Sequence, residues 1–212
     1  PELRDPFLLK IGEAVKIMHT LPVVGYGQLI VASDGSVRGK YDDWETAALA
    51  AVEPGLAKLE SNAYFNNDLL SLARTIVADH KSILSTLDEG KLLHGDFGLV
   101  HFYGDLETGE LTGMIDFGEC KSGDPVWDFV DFSWKYMQTI VNGYGIGNTD
   151  EGFGPFKDKF YYYCLLRDLV WTVRFNEKWT KDAAERMEYV ITAVAKHFGY
   201  LDSTDQPKVF AS

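Results

Sequence analysis

The chain has 212 residues and a formal net charge of −12, an anionic surface that repels phosphate backbones and so argues against a nucleic-acid partner. With 46% hydrophobic and 25% charged residues, the composition is that of a globular chain long enough to bury a sizeable core. No apolar stretch approaches the roughly 18 to 20 residues of a membrane span, and no basic segment followed by an apolar run opens the chain, so neither a membrane nor a secretory signal is expected.

The first helix is expected to open at Asp5-Pro6, because Asp is a good N-cap and Pro suits the first helical position. Leu8, Ile11, Val15 and Met18 then recur on one face, and Pro22 ends the segment. Residues 22–42 hold four glycines and little periodicity, and read as a long loop containing Gly25-Tyr26-Gly27. A second helix is expected from Trp44 to about Leu59, broken or kinked at Pro54-Gly55. A third, capped by Asn67 or Asp68, is lined by Leu69, Leu72, Ala73, Ile76, Val77, Ile83 and Leu87.

The texture then changes. Lys91 to Leu93 is short and apolar and runs into His94-Gly95-Asp96. Val100–Tyr103 and Leu111–Ile115 are β-like runs around a Thr108-Gly109 turn, which predicts a hairpin. Helical spacing returns after Gly123-Asp124-Pro125, with Phe129, Phe132 and Tyr136 on one face. A glycine-rich loop over Gly143, Gly145, Gly147, Gly152 and Gly154 leads to a helix near Phe156, striped by Tyr162, Leu165, Leu166, Leu169, Val170 and Val173. Thr180 caps a last helix carrying Met187, Val190, Ile191 and Val194, and the tail after Asp202 looks frayed. The expected fold class is α+β and mainly helical, with a small β hairpin presenting a site. Cys120 and Cys164 have no metal or redox spacing and read as reduced thiols of a cytoplasmic protein.

The charge is unevenly placed. Between His94 and Asp131 stand nine acids and one base, Lys121. Such crowding suits a metal ion or a cationic substrate, or is a solvated acidic surface. Within this stretch His94-Gly95-Asp96 is followed by Ile115-Asp116-Phe117-Gly118 and by Gly123-Asp124-Pro125 with Asp128. Phosphoryl transfer asks for one carboxylate to orient and deprotonate the attacking hydroxyl and for another to hold the magnesium that bridges the nucleotide phosphates. Two Asp residues at the two ends of a β hairpin can face one cleft, and magnesium takes hard oxygen ligands.

These motifs resemble the signature of the aminoglycoside phosphotransferase and choline kinase families, which share the protein-kinase-like fold. The resemblance extends over roughly residues 5 to 200 and includes His19-Thr20-Leu21 at the end of the first helix. It implies ATP as phosphoryl donor and Mg²⁺ as cofactor, with Asp96 as catalytic base and Asp116 as the magnesium-binding acid. It further implies that His94 supports the catalytic loop, and that Asp124 and Asp128 brace that loop and start the next helix. Residues 1–202 are then a kinase-like catalytic C-terminal lobe and 203–212 a tail.

Two departures stand out. Kinases of this fold carry Asn five residues after the catalytic Asp as a second metal ligand, and here that position is His101, a poor magnesium ligand. A transition metal held by His94, Asp96 and His101 is the alternative. The N-terminal lobe is the second departure: neither a phosphate-covering glycine loop nor a strand lysine is present, so the chain is expected to be the C-terminal lobe of a longer protein. The expected acceptor is a small molecule with a hydroxyl, aminoglycoside-like or an amino alcohol. Asp150, Glu151, Asp158 and Asp168, with Trp171, Trp179 or Tyr161 stacking, would suit a cationic one. The rivals are a non-catalytic kinase-like binding module and a metallohydrolase built on the histidines.

Overall fold

A computed structural model describes residues 5–61, 65–130, 134–147, 150–174 and 180–202. The chain falls into two compact units, residues 1–44 with 87–157 and residues 45–86 with 158–212.

The first unit contains every strand among the described residues. Helix α1 (Asp5–Met18) lies where expected, ends before Pro22, and buries Phe7, Leu8, Ile11, Gly12, Val15 and Met18. Pro6 in its first turn forfeits no helical hydrogen bond. The expected loop after it is instead a hairpin, β1 (Tyr26–Val31) paired antiparallel with β2 (Val37–Tyr41). The hairpin hides from pattern reading because Ile30, Val31 and Val37 all stand exposed, which erases the alternation of a half-buried strand. Asp34-Gly35 closes it: the Asp34 carboxylate accepts from the Ser36 N–H at 2.9 Å, and Gly35 takes φ +84°.

Strand β3 (Lys91–Leu93) lies where expected. The predicted hairpin is also present, as β4 (Phe102–Asp105) and β5 (Glu110–Met114), with Gly109 at φ +76° in its turn. Strand β6 (Lys121–Gly123) was not anticipated, since three residues carry no period. It sits centrally in a four-stranded antiparallel sheet of order β2-β1-β6-β3, while β4 and β5 form a separate ribbon. The short α5 (Val126–Phe129) and α6 (Trp134–Tyr144) follow. Helix α6 crosses α1 backbone to backbone. A Cβ on Gly12 would lie 2.0 Å from the Ile140 carbonyl oxygen, and one on Gly143 would lie 2.2 Å from that of Leu9. Gly143 therefore belongs to a helix crossing and not to a glycine-rich loop.

The second unit is helical. The expected helix over 44–59 is two, α2 (Trp44–Leu49), whose first residue belongs to the first unit, and α3 (Val52–Glu60). The break therefore precedes Pro54, which sits in the first turn of α3 where its missing N–H costs nothing. Gly55 is a packing residue: a Cβ there would meet the Leu169 carbonyl oxygen at 2.1 Å. Helix α4 (Asn67–Asp79) is capped by Asn66, one residue before the expected cap, and Asn66 accepts from the Asp68 N–H at 2.9 Å. It buries Leu70, Ala73 and Ile76, and Ile83 lies beyond its end in a 3₁₀ turn over Lys81–Thr86. Helix α7 (Asp150–Arg174) starts six residues before Phe156 and takes in Gly152 and Gly154; it belongs to the second unit from Asp158 onward. Its Tyr162, Leu165, Leu166 and Leu169 are buried as expected, and the Tyr162 hydroxyl donates to the Val77 carbonyl at 2.9 Å. Helix α8 (Thr180–His197) buries Ala184, Met187, Ile191, Val194 and Ala195. Among the described residues no helix is long and apolar enough to cross a membrane.

Candidate active site

The segment after β3 turns sharply. Gly95 takes φ +80°, and a Cβ there would lie 2.1 Å from the Glu119 carbonyl oxygen, so only glycine fits. The Gly98 N–H donates to the Asp96 carbonyl at 3.1 Å, and the His101 N–H to that of Gly98 at 3.0 Å. Phe97 is fully buried, with its ring 4.8 Å edge-on from Phe102 and 6.4 Å from Phe129. This anchor holds the turn down while Asp96 stays half-buried, its carboxylate without a hydrogen-bond donor among the described residues.

Asp128, wholly buried, holds the turn from behind. It accepts the His94 N–H at 2.8 Å and the Gly95 N–H at 2.9 Å. A third donor is His19 at the end of α1, whose Nε2 lies 3.1 Å from the same carboxylate. The other His19 nitrogen, Nδ1, is 3.1 Å from the Tyr144 hydroxyl, which donates to it when Nε2 carries the proton. Five residues from four segments thus form one hydrogen-bonded chain. Asp124, 2% exposed, caps α5 by accepting the Val126 N–H at 3.0 Å. Sequence reasoning had quoted His19 without a role and had missed Tyr144. A histidine closing the apolar face of an amphipathic helix was the available signal for the first; for Tyr144 there was none.

Burial, with the charges of Asp124 and Asp128 adding to it, pushes the Tyr144 hydroxyl up to about 12 from an ordinary 10. The folded chain therefore holds a proton that the unfolded chain has released across that interval, so stability falls as pH rises from 10 towards 12. Urea midpoints measured through this range should drop for the wild type and drop less for Tyr144→Phe. Parallel curves would show that Tyr144 plays no part in the alkaline loss.

The second acid stands at the far end of the β4–β5 ribbon. Ile115 before it is fixed on both sides: its N–H donates to the His101 carbonyl at 3.0 Å, and its own carbonyl accepts from His94 Nε2 at 2.8 Å. Asp116 then adopts φ +66° and ψ +57°, the one positive φ outside glycine among the described residues. A left-handed backbone at a residue with a Cβ costs on the order of 1 kcal/mol and persists where the surroundings impose it. The Asp116 side chain is 61% exposed.

His101 joins the two acids. Its Nδ1 donates to the Asp96 carbonyl at 2.8 Å, and its Nε2 lies 3.6 Å from Asp116 Oδ2. The His94 and His101 rings stack at 5.4 Å and 18°, and Phe117 lies 4.8 Å from His94 on another side. Both histidines thus spend a nitrogen on a backbone carbonyl, and among the described residues no three His, Cys, Asp or Glu side chains group as a metal site. The trio of His94, Asp96 and His101 is therefore not a ligand set. Asp116 does suit a divalent cation, since it offers a hard, accessible carboxylate with no competing hydrogen bond among the described residues.

The other candidates fall elsewhere. Asp158 lies in the second unit and accepts from His197 Nε2 at 2.7 Å, while Tyr161 stacks on the His197 ring at 4.2 Å. Asp168 is 4% exposed and holds Arg186 through two contacts of 2.9 and 3.1 Å, which makes it a buried ion-pair residue and not a solvated acid. The side chains of Asp150 and Glu151, and Trp179 altogether, lie outside the described residues.

Residues 4–155 match the profile of the Phosphotransferase enzyme family. No curated protein matches the chain significantly. The apo form of a thermostable mutant of the aminoglycoside phosphotransferase APH(4)-Ia superposes with a TM-score of 0.67 at 17% identity, over 93% of this chain and 67% of that one. A ternary complex of another thermostable mutant of that enzyme, with AMP-PNP and hygromycin B, gives 0.67 at 17% identity over 91% and 65%. A choline/ethanolamine kinase family protein from Mesorhizobium loti gives 0.61 at 16% identity over 89% and 61%. The chain spans about two thirds of the length of these structures, and at such identities the likeness is one of fold. With the family profile covering the whole span from α1 through Asp96, Asp116 and Asp128, the chain belongs to the phosphotransferase enzyme family.

Proposed function

We propose that this chain is the catalytic C-terminal lobe of an ATP-dependent phosphotransferase that acts on a hydroxyl of a small, cationic molecule in the cytoplasm. The observation that carries this reading is the pairing of two carboxylates, Asp96 and Asp116, that accept no hydrogen bond among the described residues, on a frame that ties them together through His94, His101 and Ile115. The AMP-PNP and hygromycin B bound in one structure of similar fold support a nucleotide donor and an aminoglycoside-like acceptor.

In this reading the Asp96 carboxylate accepts the hydroxyl proton as the acceptor oxygen forms its bond to the γ-phosphorus. The bond from that phosphorus to the β–γ bridging oxygen breaks, and ADP leaves. Asp116 is the residue that would hold Mg²⁺, which supplies charge neutralisation on the phosphates. Asp128 keeps the catalytic turn in place for this by accepting the His94 and Gly95 N–H groups, and Asp124 starts the next helix by accepting the Val126 N–H.

Asp116→Asn tests the reading with little risk to the fold, because Asn tolerates the left-handed backbone almost as well as glycine does. In calorimetry the complete protein should bind Mg·ATP and the variant should bind it at least about tenfold more weakly. Unchanged affinity would remove Asp116 from the metal site. The rival, a non-catalytic kinase-like binding module, draws on His101, whose nitrogen faces Asp116. It predicts ligand-induced stabilisation with no ADP released from a panel of aminoglycosides and amino alcohols.

A further inference from the structure

Two acceptor atoms face each other beside the catalytic turn. His101 Nδ1 gives its proton to the Asp96 carbonyl at 2.8 Å, so the neutral ring presents a lone pair at Nε2. That lone pair meets the Asp116 Oδ2 at 3.6 Å, too far for a hydrogen bond. The ring is held on both sides of this contact. Its side chain is only 14% exposed, it stacks on the buried His94, and the His101 carbonyl is fastened to the Ile115 N–H. Asp116 is held by its constrained backbone.

A gap of this size between a nitrogen and an oxygen lone pair fits one metal ion. Two donors each about 2.1 Å from a common ion lie about 3.0 Å apart when adjacent on an octahedron and about 4.2 Å apart when opposite. The observed 3.6 Å falls between these limits without moving either side chain. The donor chemistry sets the preference. Magnesium favours an all-oxygen shell, whereas imidazole nitrogen suits the later divalent transition ions, and Mn²⁺ takes it more readily than Mg²⁺ does.

We propose that His101 Nε2 is a direct metal ligand alongside Asp116, and that it tunes this chain towards Mn²⁺ or a later divalent transition ion over Mg²⁺. The inference rests on the phosphotransferase reading for the nucleotide that completes the shell. Nitrogen ligation also has a use there: a pre-set imidazole orients the ion without adding a second negative charge beside Asp96.

The test is pulsed electron paramagnetic resonance on the complete protein with Mn²⁺ and ATP, the protein's histidines carrying ¹⁵N. We expect a ¹⁵N coupling from one directly bound histidine, absent in both His101→Asn and His101→Gln, with circular dichroism showing both variants folded. Competition should follow: in either variant the Mn²⁺-over-Mg²⁺ affinity ratio falls on the order of tenfold. Mn²⁺ bound through oxygen alone, or a ratio that the substitutions leave unchanged, overturns the nitrogen ligand while leaving the phosphotransferase reading intact. No ATP-dependent binding of either ion overturns both.

Discussion

Asp96→Asn in the complete protein is expected to lower turnover by about 10²- to 10⁴-fold with little change in folding, the range that a positioned general base contributes. The fold should survive because the carboxylate of Asp96 accepts no hydrogen bond among the described residues: what the turn uses is its backbone carbonyl, which accepts from Gly98 N–H and His101 Nδ1 and is unaffected by the substitution. Asparagine has the same shape and cannot take the proton of an incoming hydroxyl. ADP release, followed with an acceptor from the aminoglycoside and amino-alcohol panel that the wild type turns over, reads the effect. Near-wild-type turnover would sink the assignment of Asp96 as base.

Asp128→Ala should do the reverse, and damage the fold first. The side chain has no exposed surface, and its loss leaves the His94 and Gly95 N–H groups and His19 Nε2 without an acceptor. Removing one member of a buried charged network typically costs about 3–5 kcal/mol. That is a large part of the total stability of an ordinary domain. Asp128→Asn keeps one acceptor oxygen and should fall between the two. Urea unfolding monitored by fluorescence gives the comparison, and an alanine protein within about 1 kcal/mol of wild type would show that the network contributes no more than a single ordinary hydrogen bond.

What could be read from the sequence, and what could not, divides by the range of the interactions involved. Helix α1 was legible because a buried face at 3.6-residue spacing is a local signal, although it ends at Met18, short of Pro22. The β4–β5 hairpin was legible because Thr108-Gly109 punctuates two β-rich runs. The hairpin over 26–41 was not, since its exposed valines imitate no pattern and its partner β6 is three residues long. Asp96 and Asp116 stand out in the sequence because phosphoryl transfer restricts which side chains such a motif can carry. The same motif names His94 and Asp128, but the long-range bonds behind them are not legible: His19 and Asp128 are separated by 109 residues, His19 and Tyr144 by 125, and only the fold brings them together. The backbone of Asp116 was also hidden. Gly118 is where Asp-Phe-Gly would suggest a left-handed residue, yet the positive φ falls on the acid itself.

The hydrogen-bonded chain through His19, Asp128 and Tyr144 has a consequence for the order in which the molecule comes together. On the ribosome His19 is made early and must wait for more than a hundred further residues before its two partners exist. The turn at His94-Gly95 is likewise synthesised 33 or 34 residues ahead of the carboxylate that locks it. Contacts that close such long loops come late, because the ordering of the intervening chain must precede them. Single helices can form beforehand, but α1 meets α6 only once Tyr144 has been made, so the geometry around Asp96 and Asp116 is among the last features to set. Substitutions at His19, Asp128 or Tyr144 would consequently act on how fast the native state is lost more than on how fast it is reached.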